Sequence, residues 1–148
     1  MDIRRITQDY YVSPQISCED MADIVAAGIK TVICNRPDNE VPPSHHAGTI
    51  EQAARAAGLE FHVLPMTQQS MTPDILAAHV AIATGSGPTL AYCASGTRST
   101  VAWALGSAMN GGDVDDILNA ADQGGYALHG LRPTLLAASQ AGPPAQSD

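Results

Sequence analysis

Charge is scarce in this chain, and long apolar runs are absent. Only 15% of its 148 residues are charged while 45% are hydrophobic, which indicates a globular rather than a disordered chain. Bases are outnumbered: seven Lys and Arg face fifteen Asp and Glu, for a net charge of −8. So acidic a chain is a poor candidate for nucleic-acid binding. No apolar run approaches the length of a membrane span. The opening M-D-I-R-R-I-T lacks the apolar core of a signal peptide. A soluble cytoplasmic protein with no nucleic-acid and no membrane partner is expected. Cysteine is also sparse. Cys18, Cys34 and Cys93 are odd in number, far apart and without a C-x-x-C, which argues against a disulfide framework and a zinc site. His45 and His46 are adjacent, so their side chains diverge, and no Cys or His stands at ligand spacing from them. No metal and no cofactor is expected.

What is present fits one domain with a real core. It is expected to run over residues 1–141, with 142–148 (G-P-P-A-Q-S-D) as a flexible tail. Ile3–Thr7 and Tyr10–Val12 read as two short strands. Ser17 reads as the N-cap of a helix with Glu19 and Asp20 in its first turn. Thr31–Cys34 and Glu60–Leu64 read as buried strands of the parallel type. Helices are expected from Ile50 to Ala57 and from Thr72-Pro73-Asp74 to Thr84. Two more are expected, over Asp113–Gln123 and Leu131–Ala141. Strands alternating with helices imply an α/β fold with a mostly parallel sheet flanked by helices. Ligands bind such sheets beyond the carboxyl ends of the strands. The loops after Cys34, Leu64 and Cys93 therefore meet at the expected site, walled by Asn35, Arg36, Asp38 and residues 65–71.

The chain is organised around P-T-L-A-Y-C-A-S-G-T-R-S-T-V-A-W-A-L, residues 88–105. It opens as an apolar strand, Thr89–Tyr92, and ends as a helix from about Ser99. Cys93 stands at the entrance of the small-residue loop between them, and Arg98 at its exit. Unpaired N–H groups and the helix dipole favour an anion there, either the thiolate or a ligand's oxyanion. The stretch reads as a cysteine nucleophile in an anion cradle. The N–H groups of Ala94, Ser95, Gly96, Thr97, Arg98 and Ser99 form the cradle. A buried Cys at a strand end is ordinarily inert, but here the glycine, the arginine and the helix start accompany it. Cys34 also ends a strand, without such a loop, and is read as a packing residue before a resolving thiol. Cys18 is read as an ordinary first-turn residue, and His62 as structural. Arg36 either meets an anionic substrate or pairs with Asp38 or Glu40.

The loop C-A-S-G-T-R-S resembles those of two cysteine-enzyme families. In tyrosine and dual-specificity phosphatases the pattern is His-Cys, five residues, Arg, then Ser or Thr. Here Tyr92 precedes Cys93, and four residues separate it from Arg98. In rhodanese-like sulfurtransferases four residues intervene; Cys93, Ser95, Gly96, Arg98 and Ser99 match that pattern, and Ala94 replaces its common Arg. Across about Met1 to Ala138, the stretches I-R-R-I-T, V-S-P-Q-I-S, T-V-I-C-N-R-P-D-N-E, Y-C-A-S-G-T-R-S and G-L-R-P-T-L resemble the phosphatase-like domain of beta-lactamase hydrolase-like proteins. That resemblance implies a dual-specificity-phosphatase-like fold. It also implies either phosphatase or sulfurtransferase activity, and a persulfide-oxidising metal hydrolase as a partner.

Two features of the sequence favour sulfur transfer. The loop is one residue shorter than the phosphatase pattern, which suits a terminal sulfur. Phosphate-ester cleavage also benefits from a carboxylic acid that protonates the leaving oxygen, and the loop P-M-T-Q-Q-S-M has none. Asp74 follows it, but reads equally well as a first-turn helix acid. The expected reaction is rhodanese-type. The Cys93 thiolate takes the outer sulfur of a persulfide or thiosulfate, Arg98 holds the small anionic donor, and Ser99 donates a hydrogen bond to the thiolate. The first alternative is a phosphatase acting on a phosphomonoester through a Cys93 phosphocysteine. The second is a non-catalytic anion-binding or persulfide-carrier module.

Overall fold

The computed structural model describes residues 1–85 and 87–144. Five strands make one sheet: β1 (Arg4–Arg5), β2 (Tyr10–Ser13), β3 (Thr31–Cys34), β4 (Glu60–Val63) and β5 (Thr89–Tyr92). Their order across the sheet is β1-β2-β5-β3-β4. β1 runs antiparallel to β2, and every other pairing is parallel. The sheet is flanked by α1 (Met21–Ala26), α2 (Ala47–Ala56), α3 (Pro73–Gly85), α4 (Thr97–Met109), α5 (Val114–Gln123) and α6 (Arg132–Ala141). This is the expected mostly parallel α/β architecture. None of the helices is long and apolar enough to cross a membrane, among the described residues.

Side-chain alternation divides the core between two faces. Leu90, Tyr92, Val32 and Cys34 point to the side covered by α1 and α2, where they meet Ile24, Ile50 and Phe61. Ala91 and Ile33 point to the opposite side, against Ala104 and Ala108 of α4 and Leu118 of α5. Each fully buried Ile or Leu contributes roughly 1.5–3 kcal/mol relative to an exposed one. All four residues of β5 and of β3 are buried, which explains why both read as continuous apolar runs rather than alternating ones. α3 and α4 approach each other closely at Gly106. A methyl group there would run into the Val80 side chain and stand 3.2 Å from the Leu76 carbonyl oxygen.

Three helix starts differ from expectation by two residues or more. The chain after Ser17 begins as a 3-10 turn, Cys18–Asp20, before α1. The Ser17 N–H donates to the Asp20 carboxylate at 2.8 Å, as a capping box requires. α2 begins at Ala47 rather than Ile50. The Ala47 N–H donates to Asp38 Oδ1 at 2.8 Å, so a carboxylate from the preceding loop satisfies an otherwise orphaned helix donor. α4 begins at Thr97 rather than Ser99, and this matters most. Gly96 is its N-cap at φ 94°, a conformation that only glycine adopts freely. Arg98 thus sits inside the first helical turn. α6 ends at Ala141, and residues 145–148 of the expected tail lie outside the described residues.

Candidate active site

Cys93 follows β5, the central strand, and is buried at the mouth of the loop. The Gly96 N–H donates to Cys93 Sγ at 3.1 Å. Three of the loop's carbonyls are drawn elsewhere. Ala94 O accepts from the Gln15 N–H at 3.3 Å, Ser95 O from the Tyr126 hydroxyl at 3.0 Å, and Gly96 O from the Thr100 hydroxyl at 2.7 Å. None of those donors lines the cavity over the sulfur. With these three carbonyls held there, the loop offers N–H groups to an anion, and the positive end of α4 adds to that field. Gly96 has no room for a side chain: a methyl group would collide with the Tyr126 hydroxyl.

The cavity holds about 210 Å³ and is lined by Cys93, Ala94, Ser95, Thr97, Arg98, Val101, Gln68 and Met71. Sequence reading placed Cys93, Ala94, Ser95, Thr97 and Arg98 here, and the structure brings them together. Gly96 lies behind them, buried, with its N–H on the sulfur. The 65–71 loop supplies a wall through Gln68 and Met71.

Arg98 is firmly held. Its Nη1 donates to Glu40 Oε2 and to Met66 O, and its Nη2 to Glu40 Oε1, each at 3.0 Å. The same carboxylate accepts from Arg36 Nε at 3.2 Å. Arg98, reinforced by Arg36, holds the Glu40 carboxyl below its ordinary range, and Glu40 in turn raises Arg98. Arg36 Nη1 donates to Gln15 Oε1 at 3.3 Å. Of the two readings of Arg36 the structure shows the ion pair, with Glu40, and Arg36 does not line the cavity.

Asn35 and Ser99 also differ from expectation. Asn35 is wholly buried and walls nothing. The Ser99 hydroxyl donates to Asn35 Oδ1 at 2.7 Å, not to the Cys93 sulfur. The two belong to a closed ring behind the loop. Asn35 Nδ2 donates to Leu64 O at 3.0 Å and meets His79 Nδ1 at 3.3 Å. His79 Nε2 meets the Tyr10 hydroxyl at 2.8 Å, and that hydroxyl donates to Ser99 O at 2.8 Å. Only neutral His79 with its proton on Nε2 satisfies every member. Burial accordingly pushes its pKa down to about 4. The ring ties β2, the loop after β3, α3 and the first turn of α4 together, which fixes the helix start beneath Cys93. Sequence reasoning missed His79 and Tyr10. The available signal was one His within the apolar stretch I-L-A-A-H-V-A-I-A of α3.

Cys34 and Tyr92 pack on the opposite face of the sheet. Burial pushes both groups' pKa values up, and the Tyr92 hydroxyl and the Cys34 thiol face each other there. Among those residues, no group of three His, Cys, Asp or Glu side chains is placed to hold a metal ion.

Residues 2–110 match the family described as beta-lactamase hydrolase-like protein, phosphatase-like domain. The chain belongs to that family. A beta-lactamase hydrolase-like protein of Agrobacterium fabrum (strain C58) is 32% identical over 117 residues, 76% of this chain and 27% of that protein. The chain thus spans about a quarter of the length of the curated relatives it matches. This phosphatase-like domain superimposes on a crystal structure from Neisseria meningitidis Z2491, provisionally assigned as a phosphatase. The TM-score is 0.82 at 34% identity, over 93% of this chain and 99% of that one. P. aeruginosa TpbA, solved in complex with pTyr, shares the fold at 16% identity. Its TM-score is 0.61, over 95% of this chain and 91% of that one. The fold is that of the cysteine-based phosphatases. The family match and the 34% identical Neisseria structure favour the phosphatase alternative over the sulfur transfer that loop length and the missing acid suggest.

Proposed function

We propose that this domain is a cysteine-based phosphatase that hydrolyses a phosphomonoester through a phosphocysteine at Cys93. One observation carries the reading. Cys93 Sγ, with the Gly96 N–H on it, opens into a small cavity at a helix N-terminus, and the same cavity is lined by an anchored arginine. A phosphoryl group placed there meets the nucleophile below, loop N–H groups around its equatorial oxygens, and Arg98 at its edge. Catalysis of this kind is mostly positioning and charge stabilisation. The pTyr bound by TpbA is an anion of the required class. Arg98 and the loop residues Ala94, Ser95 and Thr97 bind the substrate on this reading, while Gly96 shapes the loop and Ser99 and Asn35 act through its position.

Sulfur transfer remains a second reading because the loop has four residues between Cys93 and Arg98 and the cavity contains no carboxylate. On that reading Cys93 carries a sulfane sulfur from a persulfide or thiosulfate, and a persulfide-oxidising hydrolase is the partner. The deciding experiment offers the protein 4-nitrophenyl phosphate, and separately thiosulfate with cyanide, using wild type and Cys93→Ser. Phosphate release that is lost in Cys93→Ser is expected. Thiocyanate formation that depends on Cys93, without phosphate release, contradicts the phosphatase reading.

A further inference from the structure

The chemistry lining the cavity limits the leaving group. None of its eight lining residues is a carboxylic acid or a histidine. Beyond the nucleophile itself, the polar side chains are Ser95, Thr97, Gln68 and Arg98. Hydroxyls and an amide are very weak acids, and a guanidinium does not give up its proton at any working pH. The carboxylate connected to the site, Glu40, accepts from both terminal nitrogens of Arg98 and from Arg36 Nε. Two arginines thus keep it ionised, so it has no proton to donate. The neighbouring carboxylates are occupied or remote from the lining. Asp38 Oδ1 accepts from the Ala47 N–H, and Asp74 stands exposed in the first turn of α3, outside the cavity.

We propose that the substrate is a phosphoryl compound whose leaving group departs as a stabilised oxyanion, an aryl oxide or the phosphate of a phosphoanhydride, rather than an alkyl ester. This rests on the phosphatase reading and narrows it. In the first step the Cys93 thiolate forms an S–P bond while the P–O bond to the leaving group breaks. The electron pair leaves on oxygen, and no proton moves. In the second step water attacks phosphorus and the S–P bond breaks. The thiolate is regenerated, and both protons of the water leave on dihydrogen phosphate. An alkyl ester would have to expel an unprotonated alkoxide, the situation in which a general acid ordinarily supplies about 10²–10⁴-fold. Met71 and Val101 add apolar wall to the cavity, against which an aromatic ring can lie.

The test measures kcat/KM for a series of substituted phenyl phosphates, for inorganic pyrophosphate and for a simple alkyl phosphate, with wild type, Cys93→Ser and Asp74→Asn. A steep rise in rate with leaving-group acidity is expected across the phenyl series. The alkyl phosphate is expected to be slower than the best aryl phosphate by about 100-fold or more, and Asp74→Asn to match wild type on every substrate. The pyrophosphate arm shows whether the oxyanion is a phosphate or an aryl oxide. Cys93-dependent hydrolysis with a flat series and comparable alkyl turnover overturns the inference and leaves the phosphatase reading intact. So does a selective loss of alkyl turnover in Asp74→Asn, which would identify a proton donor. No Cys93-dependent hydrolysis of any member removes both.

Discussion

Replacing His79 by Gln should flatten the pH dependence of stability between pH 4 and 6.5. In the unfolded chain a histidine titrates near its ordinary 6.5; in the fold, burial lowers His79 to about 4. Between those values the unfolded state binds a proton that the folded state refuses. The folded state is therefore fully favoured above pH 6.5 and loses stability as pH falls, levelling off below about 4. A shift of this size is worth about 3 kcal/mol over the whole window. The structural cause is specific: a second proton on the buried ring would sit on Nδ1, where it would face the Asn35 amide Nδ2, itself a donor, at 3.3 Å. The assay is urea denaturation at half-unit pH steps for wild type and His79→Gln. The other four histidines are common to both proteins, so the difference between the two curves isolates His79. His79→Gln is expected to be less stable than wild type near pH 7.5 because the ring is broken. The gap should close by about 3 kcal/mol as the pH falls to 4. Parallel curves would refute the reasoning, because the ring would then hold a protonated imidazole.

Other substitutions probe the site itself. Arg98→Lys removes the planar fork that meets Glu40 on two nitrogens, and should lower kcat/KM for an anionic substrate about 10- to 100-fold with the far-UV spectrum unchanged. An unchanged rate would remove Arg98 from the binding site. Ser99→Ala leaves Asn35 Oδ1 without its buried donor and should cost about 1–3 kcal/mol in a denaturation curve. A large fall in kcat at unaltered stability would instead place its hydroxyl on the sulfur. Gly96→Ala forces a methyl group into the Tyr126 hydroxyl at a left-handed backbone angle, at a cost of at least about 1–2 kcal/mol, and should abolish anion binding in a phosphate titration. Retained binding would show that the loop tolerates rearrangement.

The parts of this molecule that were legible in the sequence are those set by local chemistry. Thr31–Cys34 and Thr89–Tyr92 are short apolar runs between turn formers, and both strands have those bounds. The cysteine loop was legible because its glycine, arginine and helix start are contiguous. The partners of that loop were not. Glu40 reaches Arg98 across 58 positions, and no local pattern separates it from the other acids of an acidic chain. Asn35 looked like a polar wall because it follows a strand at the carboxyl edge of the sheet. It turns inward instead, because Leu64 O, Ser99 and His79 offer it a buried set of partners. α4 starts two residues before Ser99, because Gly96 supplies its cap and Thr97 and Arg98 form its first turn.

The group that forms on Cys93 distinguishes phosphoryl transfer from sulfur transfer. It is identified most directly by mixing the protein with excess 4-nitrophenyl phosphate, quenching in acid within the first turnovers and mapping the modified peptide by mass spectrometry. The account predicts one phosphoryl group on Cys93, absent from Cys93→Ser and formed together with a burst of nitrophenol. A sulfur atom gained on Cys93 from thiosulfate, with no phosphoryl adduct and no burst, would contradict it.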